Sequence, residues 1–284
     1  MKNLIYDFYG IYVEYINGNY FEYENMHYFC LECKLEEAAF IKQYQLYEQS
    51  FLSTGGTHHL YLVQNRYQHY ISSNRILLCS KEKEVYLTEL IEQSLFPIET
   101  GRYEEIINKW IKEMDVVENR VLPAIMGQSH QFEYLYALTI YYLGMAESAL
   151  AYLQDSFSKT MTYQKSLSLH ARQLDTYLDW LNPFCYKTDH YLNFLVRMYG
   201  RSYLTIDQIK EYTISFQPAD LIYMYSAMLY PEDFFSDILL YVQDQIDEKA
   251  FVKYYQHIEI NEKRLKDFYT FIAEPTQLRP LEWL

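Results

Sequence analysis

The feature that most constrains this chain is a change in hydrophobic period near Lys81. Before that residue, short runs of β-branched and aromatic residues alternate with turn residues, which indicates strands around one helix. After it, apolar residues recur at helical spacing. The order predicts an α+β chain with a small mixed lobe at residues 1–81 and a larger helical lobe at residues 82–284, joined by a charged hinge at Ser80–Glu84.

The small lobe is predicted to hold three strands, one helix and two further strands. Asn17-Gly18-Asn19 predicts a hairpin turn between the first two strands, because Asn and Gly tolerate positive φ angles. The predicted strands are Gly10–Ile16, Tyr20–Tyr23, His27–Cys33, His59–Gln64 and Arg75–Cys79, and the predicted helix is Leu35–Leu52. The buried face of that helix is predicted to carry Phe40, Tyr44, Tyr47 and Phe51.

The helical lobe carries several local start and stop signals. Thr205 with Gln208 predicts a capping box, and Pro218 suits the first position of a helix. Thr100 is predicted to cap a helix that Pro123 stops, and residues 157–187 are predicted to be irregular. The predicted helices are Leu87–Leu95, the one after Thr100, Phe132–Leu153, Tyr191–Tyr199, Ile206–Ser215, Pro218–Leu229, Glu232–Ile246 and Lys249–Ile272.

Composition excludes several classes of protein. The net charge of −14 argues against nucleic-acid binding through a general basic footprint. The longest uncharged apolar stretch, Tyr134–Ala146, is shorter than the roughly 18 residues that a membrane span needs. Asp7 interrupts the N-terminal apolar run too early for a signal peptide, and four cysteines fit a reducing compartment. We therefore expect a protein that is cytoplasmic when synthesised, without a membrane span.

Tyrosine is unusually frequent, with 33 in 284 residues. One interpretation is codon bias or general use as a core and surface filler, and the other is a role in cross-linked, insoluble assemblies. Cys30 and Cys33 form a C-x-x-C, but they lie on a predicted strand rather than at a helix N-terminus, so buried strand cysteines are the preferred interpretation. A metal site from His170, Asp189 and His190 has no companion motif.

A mixed lobe followed by a helical lobe is the outline of the protein-kinase-like fold, whose phosphotransfer needs a Gly-rich loop, a strand Lys, a helix Glu and two Asp residues. The first hairpin offers one glycine, Gly18. Lys34 follows the third predicted strand, and Glu37 opens the next helix beside Glu36. Lys34 and Glu37 are therefore the candidate remnants of a nucleotide-binding lobe, although acidic residues at a helix start also have a simple electrostatic role.

The catalytic-loop candidate is SLHARQLD, from Ser168 to Asp175. His170 sits where an H-x-D loop begins, but Arg172 occupies the Asp position and cannot act as a base. Tyr177 occupies the position of the usual metal-binding Asn, and Asp175 is near but out of register. Asp189 is the candidate metal position, and an Asp without a paired Asn makes a poor Mg²⁺ site.

These segments resemble the YutH-type spore-coat-associated proteins, a branch of the spore-coat kinase-like (CotS-related) group that is itself similar to aminoglycoside phosphotransferases and choline kinases. The segments that carry the resemblance are Ser168–Arg172, Asp189–Arg197, Leu229–Tyr241 and Leu281–Leu284, with a weaker match at His59–Ile71 and Arg75–Cys79. The resemblance implies a two-lobed kinase-like fold made during endospore formation and deposited in or near the coat.

Three functional interpretations remain open at this point. The first is a catalytically degenerate pseudokinase that binds spore-coat or other sporulation proteins and needs no cofactor. The second is an active small-molecule phosphotransferase with a drifted site, which uses ATP and Mg²⁺ with Asp175 or Asp189 in unusual roles. The third is a helical scaffold unrelated to kinases. Nucleotide binding that depends on Mg²⁺ separates the first from the second.

Overall fold

The structure is a computed structural model that describes residues 1–54, 60–81, 86–126, 134–169 and 183–281. The chain forms two compact units. The first consists of Met1–Ile98 and Lys165–Tyr191, and the second of Glu99–Gln164 and Leu192–Leu284. These bounds differ from the division at residue 81 that the sequence suggests, and that division stays a prediction.

The first unit begins with a helix that the sequence analysis missed, α1 (Lys2–Tyr9), which ends at Gly10. The remaining elements of its N-terminal part are β1 (Tyr20–Tyr23), β2 (Met26–Glu32), α2 (Glu37–Thr54), β3 (Tyr61–Leu62), β4 (Ile71–Ser72), β5 (Arg75–Ser80) and α3 (Leu87–Ser94). The strands form one antiparallel sheet in the order β1-β2-β5-β3, and β4 also pairs with β5. The predicted order of three strands, a helix and two strands is thus wrong in two places. Two strands, not three, precede α2, and three strands, not two, follow it.

The first hairpin lies one turn further along the chain than the sequence predicts. Glu24 and Asn25 have φ angles of 48° and 61° and connect β1 to β2, as a tight two-residue turn requires. At the predicted turn, Asn17 and Tyr20 form a single antiparallel bridge. Residues 10–16 are not a strand, although Ile11 and Val13 pack into the apolar core.

Helix α2 has the buried face that its period predicts. Phe40, Tyr44 and Tyr47 are all buried, and the side chain of Phe51, the fourth predicted position, lies outside the described part of the structure. The hydroxyl of Tyr44 donates to the carbonyl of Leu60 at 2.8 Å and accepts from the amide of Leu62 at 3.1 Å, so it ties the helix to the edge strand β3. The C-x-x-C pair is also buried, and burial raises the pKa of both thiols, as expected for structural cysteines.

Residues 157–187 are not irregular throughout, which corrects the sequence-based expectation. β7 (Thr162–Leu169) and β8 (Tyr186–His190) pair antiparallel, and β6 (Glu99–Arg102) adjoins β7. Thr100 lies within β6 and caps no helix, because the helix that follows starts at Tyr103. The strands escaped detection because Ser166 and Ser168 occupy buried positions, where the pattern calls for apolar residues.

The second unit is helical apart from its strand segments. Its helices are α4 (Tyr103–Val116), α5 (Leu122–Met126), α6 (Leu135–Ser156), α7 (Asn193–Gly200), α8 (Ile206–Thr213), α9 (Pro218–Leu229), α10 (Glu232–Val242), α11 (Val252–Gln256) and α12 (Ile258–Thr276). A π-helical turn, Val117–Val121, joins α4 to α5, so Pro123 lies inside a helical turn and does not stop the chain's helical course. The Thr205–Gln208 capping box and Pro218 at a helix start are confirmed.

The core of the second unit surrounds α6 and α9, which pack against each other, and α9 also packs against α12. The residues of α6 are apolar nearly all round, which predicts a buried central helix, but only one side is buried, from Leu135 to Leu153, and Tyr136 and Ile140 are exposed. Within the described ranges, no helix combines the length and apolarity that crossing a membrane requires.

Candidate functional site

The candidate site lies around the end of β7, where the predicted catalytic loop begins. Leu169 is the last residue of β7, and the structure describes the chain again from residue 183. The candidate loop residues His170, Arg172 and Asp175 lie outside the described residues, and so does Tyr177. The described part of the site therefore consists of the β7–β8 pair and the elements that pack on it.

The β7–β8 register brings four polar side chains to one face of the pair. Ser166 is opposite Asp189, and Ser168 is opposite Lys187. Directly opposed residues of an antiparallel pair share a face, and residues two apart on one strand do too. The hydroxyl of Ser166 is buried and finds no hydrogen-bond partner within the described parts of the chain.

Asp189, the predicted metal position, has a cation beside it. Its Oδ2 lies 3.1 Å from Nζ of Lys187, and its Oδ1 accepts a hydrogen bond from the amide of His190 at 2.9 Å. Both charged side chains are only about a quarter exposed, so water screens the pair less than it would at the open surface. The ammonium occupies the place near the carboxylate that a cation would otherwise take.

The described residues do not by themselves make a magnesium site, and residues 170–182 of the candidate loop lie outside them. Mg²⁺ prefers an octahedral set of oxygen ligands, and a kinase-type site combines the Asp with an Asn of the catalytic loop. In the described ranges, no group of three or more His, Cys, Asp or Glu side chains could hold a metal ion. The one carboxylate at the predicted position, Asp189, is paired with Lys187.

His190, next to Asp189, is a buried neutral ring. Its side chain has no exposure, and it stacks on Tyr191 with 5.1 Å between ring centroids. Burial lowers the pKa of His190 well below its usual range, against a smaller opposite effect from Asp189. A neutral ring in this setting carries no positive charge with which to hold a phosphate group near pH 7.

The candidate nucleotide-lobe residues lie at the start of α2. Lys34 is exposed in the connection before α2, and Glu37 is the first residue of α2. The carboxylate of Glu37 accepts hydrogen bonds from the amide of Tyr70 and from Nδ1 of His69, the latter at 3.0 Å. The amide of Tyr70, followed by His69, lowers the pKa of Glu37. Glu37 is thus directed to the 69–70 turn, and a role for it or Lys34 at a nucleotide stays a prediction.

The structure also reveals contacts that sequence reasoning missed, between α2 and the chain that leads into β8. Nε2 of Gln43 donates to the carbonyls of Pro183 and Tyr186 at 2.9 and 2.6 Å. Tyr47 meets Tyr186 edge to face, with ring centroids 5.6 Å apart. Helix α2 is therefore fixed to the strand that carries Asp189. The apolar period predicted the buried face of Tyr47, but no local signal marks Gln43.

The segments that carried the family resemblance form an ion-pair network in the second unit. Arg197 of α7 lies 3.2 Å from Glu232 at the start of α10, and Lys109 of α4 lies 2.8 Å from the same carboxylate. Arg201 pairs with Asp233 at 3.1 Å. Arg197 is only 10% exposed, so its charge requires this partner. The network joins three helices and explains these charged residues structurally.

Comparisons with known proteins agree with a kinase-like fold. The structure is similar to a solved aminoglycoside phosphotransferase from Alicyclobacillus acidocaldarius subsp. acidocaldarius DSM 446, with a TM-score of 0.58 and 9% sequence identity. The match covers 95% of this chain and 94% of that protein. No protein-family model and no curated protein sequence matches the chain.

The class of protein follows from this similarity. The chain has the fold of the aminoglycoside phosphotransferases, which is a protein-kinase-like α+β fold. A helical scaffold unrelated to kinases, the third interpretation of the sequence, does not agree with that fold. At 9% identity the similarity concerns the fold alone.

Proposed function

We propose that this protein is a catalytically degenerate kinase-fold protein of the YutH-type, CotS-related spore-coat group, which works by binding other proteins and transfers no phosphate. Its partners are spore-coat or other sporulation proteins. It is made in the cytoplasm and deposited in or near the coat of the endospore. Neither ATP nor Mg²⁺ takes part in this function.

The observation that carries the proposal is Arg172, which stands where a kinase-fold catalytic loop has its Asp. A guanidinium stays protonated at all physiological pH values, so it cannot accept the proton of a substrate hydroxyl. Tyr177 has no carbonyl or carboxylate oxygen to offer a metal ion at the position of the usual Asn. The ion pair between Lys187 and Asp189 supports the same conclusion for the metal position.

The proposed setting rests on the resemblance and on the surface. The segments Ser168–Arg172, Asp189–Arg197 and Leu229–Tyr241 carry the resemblance to the spore-coat group. Ten tyrosines of the described chain are exposed. Exposed tyrosines favour protein interfaces, because a large rigid ring with a polar tip loses little conformational entropy on docking.

The alternative is an active ATP-dependent phosphotransferase acting on a small molecule. The fold favours it, since the solved structure with the same fold is named an aminoglycoside phosphotransferase. This alternative requires Asp175 or Asp189 to act in an unusual role, and Asp189 would have to leave Lys187 to reach a metal ion.

A thermal-shift titration with ATP, with and without Mg²⁺, tests the proposal. A ligand that binds only the folded state stabilises it by about 2.7 kcal/mol at a hundred times its Kd. We expect millimolar ATP and Mg²⁺ to leave the melting temperature unchanged for both the natural chain and Asp189→Ala. An Mg²⁺-dependent shift that Asp189→Ala abolishes would instead establish the phosphotransferase alternative.

A further inference from the structure

Tyr134 and Tyr255 form a stacked pair of phenol rings at the surface of the second unit. Their ring centroids lie 4.8 Å apart, and the ring planes are inclined by 12°. Tyr134 is the N-cap of α6, and Tyr255 lies in α11. The two residues are 48% and 45% exposed, so solvent reaches both members of the pair. Two phenols in contact with each other are thus open to a reagent in solution.

Contacts of neighbouring tyrosines hold α6 and α11 in this arrangement. Tyr142, further along α6, donates from its hydroxyl to the carbonyl of Tyr254 at 3.3 Å, and the two rings meet edge to face with 6.0 Å between centroids. The hydroxyl of Tyr141 donates to Glu262 of α12 at 3.0 Å. Helix α11 is therefore tied to α6 at the residue that precedes Tyr255, which keeps the exposed rings side by side.

Exposure distinguishes this pair from the tyrosine pairs of the core. Tyr44 contacts Tyr47 with 6.1 Å between ring centroids, and Tyr103 contacts Tyr163 at 5.1 Å. All four of these residues are buried, so a reagent in solution has little access to their rings. The pair between α6 and α11 combines ring contact with access from solvent, and a reaction that joins two phenols needs both.

Adjacent phenols couple when each loses one electron and one proton to an oxidant. The two phenoxyl radicals form a carbon–carbon bond between ring positions ortho to their oxygens, and each of these carbons passes its hydrogen to the oxygen of its ring. Hydrogen peroxide, acting through a haem peroxidase, takes up the two electrons and two protons and leaves as two water molecules. Rings held side by side in one molecule couple in preference to rings that must meet by diffusion.

We propose that Tyr134 and Tyr255 are a modification site, at which hydrogen peroxide and a haem peroxidase join the two rings into a dityrosine within one chain. The link connects the start of α6 to α11, which lie far apart in the sequence. A cross-link between distant positions lowers the conformational entropy of the unfolded chain and so stabilises the folded one. The inference goes beyond the proposed function and rests on the geometry of the second unit, so the ATP titration does not bear on it.

The test treats the full-length chain with hydrogen peroxide and a haem peroxidase at low protein concentration. The fraction that runs as a single chain on a denaturing gel is then digested for mass spectrometry. We expect a linked pair of peptides that contains Tyr134 and Tyr255 and has lost two hydrogen atoms, together with dityrosine fluorescence. Diluting the chain about tenfold should leave the yield unchanged, because the effective concentration within one molecule does not depend on the protein concentration. The linked chain should melt at a higher temperature than the untreated one.

Matched single variants isolate the pair. Tyr134→Phe and Tyr255→Phe each remove one phenol hydroxyl and keep an aromatic ring, and each should abolish the linked peptides. Tyr136→Phe makes the same change at another exposed position of α6, and Tyr15→Phe makes it at an exposed position of the first unit. Both control variants should leave the yield unchanged. Equal melting temperatures of the untreated natural chain and the untreated variants confirm that each is folded.

Several outcomes would overturn the proposal. One is the absence of the linked peptides from the single-chain fraction. Another is a yield that falls on dilution, which would mean that the link forms between molecules. Equal loss of the link in Tyr136→Phe would show that the reaction does not depend on the stacked pair. Links between other tyrosines in equal yield would show that the stacked arrangement gives no preference.

Discussion

Gly10 ends α1 in a conformation that few other residues adopt. Its φ angle is +75°, and a Cβ there would overlap the guanidinium of Arg66. Gly18 has a similar φ of +59°, but its Cβ would meet open space. We expect Gly10→Ala to destabilise the fold by more than Gly18→Ala, for which only the left-handed conformation costs about 1–2 kcal/mol. Urea unfolding of both variants measures this, and equal losses would show that Arg66 yields freely.

Glu37 makes a pH-dependent contribution to stability. Its folded-state pKa lies below the ordinary value of 4.5, so the folded state favours the ionised carboxylate. The stabilisation is present above the unfolded-state pKa and is lost as the pH falls through the lower folded-state value. We expect Glu37→Gln to lower the melting temperature at pH 7 and to have little effect near pH 3. Glu36→Gln, at the exposed neighbouring position, is the control, and a difference that persists in acid would contradict this account.

At the scale of elements, Gln43 joins α2 to the start of β8. Replacing it with Ala removes the amide that donates to the carbonyls of Pro183 and Tyr186, and a typical hydrogen bond of this kind contributes about 0.5–1.5 kcal/mol to stability. Gln45→Ala, at an exposed position of the same helix, removes a similar side chain without this contact. We expect only the Gln43 variant to lower the urea midpoint clearly, and equal midpoints would show that Tyr47 and Tyr186 suffice to hold α2 in place.

Elements with local signals were predictable from the sequence. The period of Phe40, Tyr44 and Tyr47 predicted the buried face of α2, and the Thr205 cap and Pro218 predicted helix starts. Elements that depend on contacts with distant parts of the chain could not be predicted from the sequence. Residues 10–16 have the β-branched and aromatic residues of a strand but form none, because pairing depends on a neighbouring strand that local sequence does not specify.

The residues of the candidate site also divide into those that a local sequence pattern predicts and those that depend on distant partners. Asp189 was found by comparing the sequence with the metal positions of the kinase-like outline, whereas its partner Lys187 was not found. Two residues apart on one strand, they share a face, so the ion pair follows as soon as β8 is known to be a strand. Gln43 donates to carbonyls 140 and 143 positions later in the chain, and no local pattern encodes such a contact. Whether Lys34 and Glu37 serve a nucleotide stays a prediction.

At the scale of the whole molecule, the tyrosines are divided between core and surface, and a role for them in cross-linked assemblies stays a prediction. Among the described residues, ten tyrosines are buried and ten are exposed. The buried ones form stacked cores, such as Tyr230 on Trp110 with ring centroids 4.1 Å apart and Tyr142 on Phe234 at 4.4 Å. The exposed ones present part of their rings to solvent. Tyrosine is therefore both a core filler and a surface residue in this protein.

The buried tyrosines make the fold sensitive to alkali. Burial raises the pKa of Tyr199 to about 12, partial burial raises those of Tyr152 and Tyr241 to about 12, and burial raises those of Tyr142 and Tyr230 as well. A phenol with a raised folded-state pKa holds its proton more tightly when folded, so its stabilisation is present below pH 10 and is lost as the pH rises through the folded value. We therefore expect the native chain to lose stability progressively above pH 10.

An ultraviolet titration of phenolate formation, followed together with circular dichroism, checks this expectation. The chain unfolded in urea should ionise its tyrosines in one step near the ordinary pKa of 10.0. In the native chain, only part of the tyrosines should ionise near pH 10. The remaining phenolates should form at higher pH together with loss of the helical signal, because the buried phenols ionise freely only on unfolding. Complete ionisation near pH 10 with the helical signal intact would mean that water reaches the buried rings, which contradicts the packing described for both units.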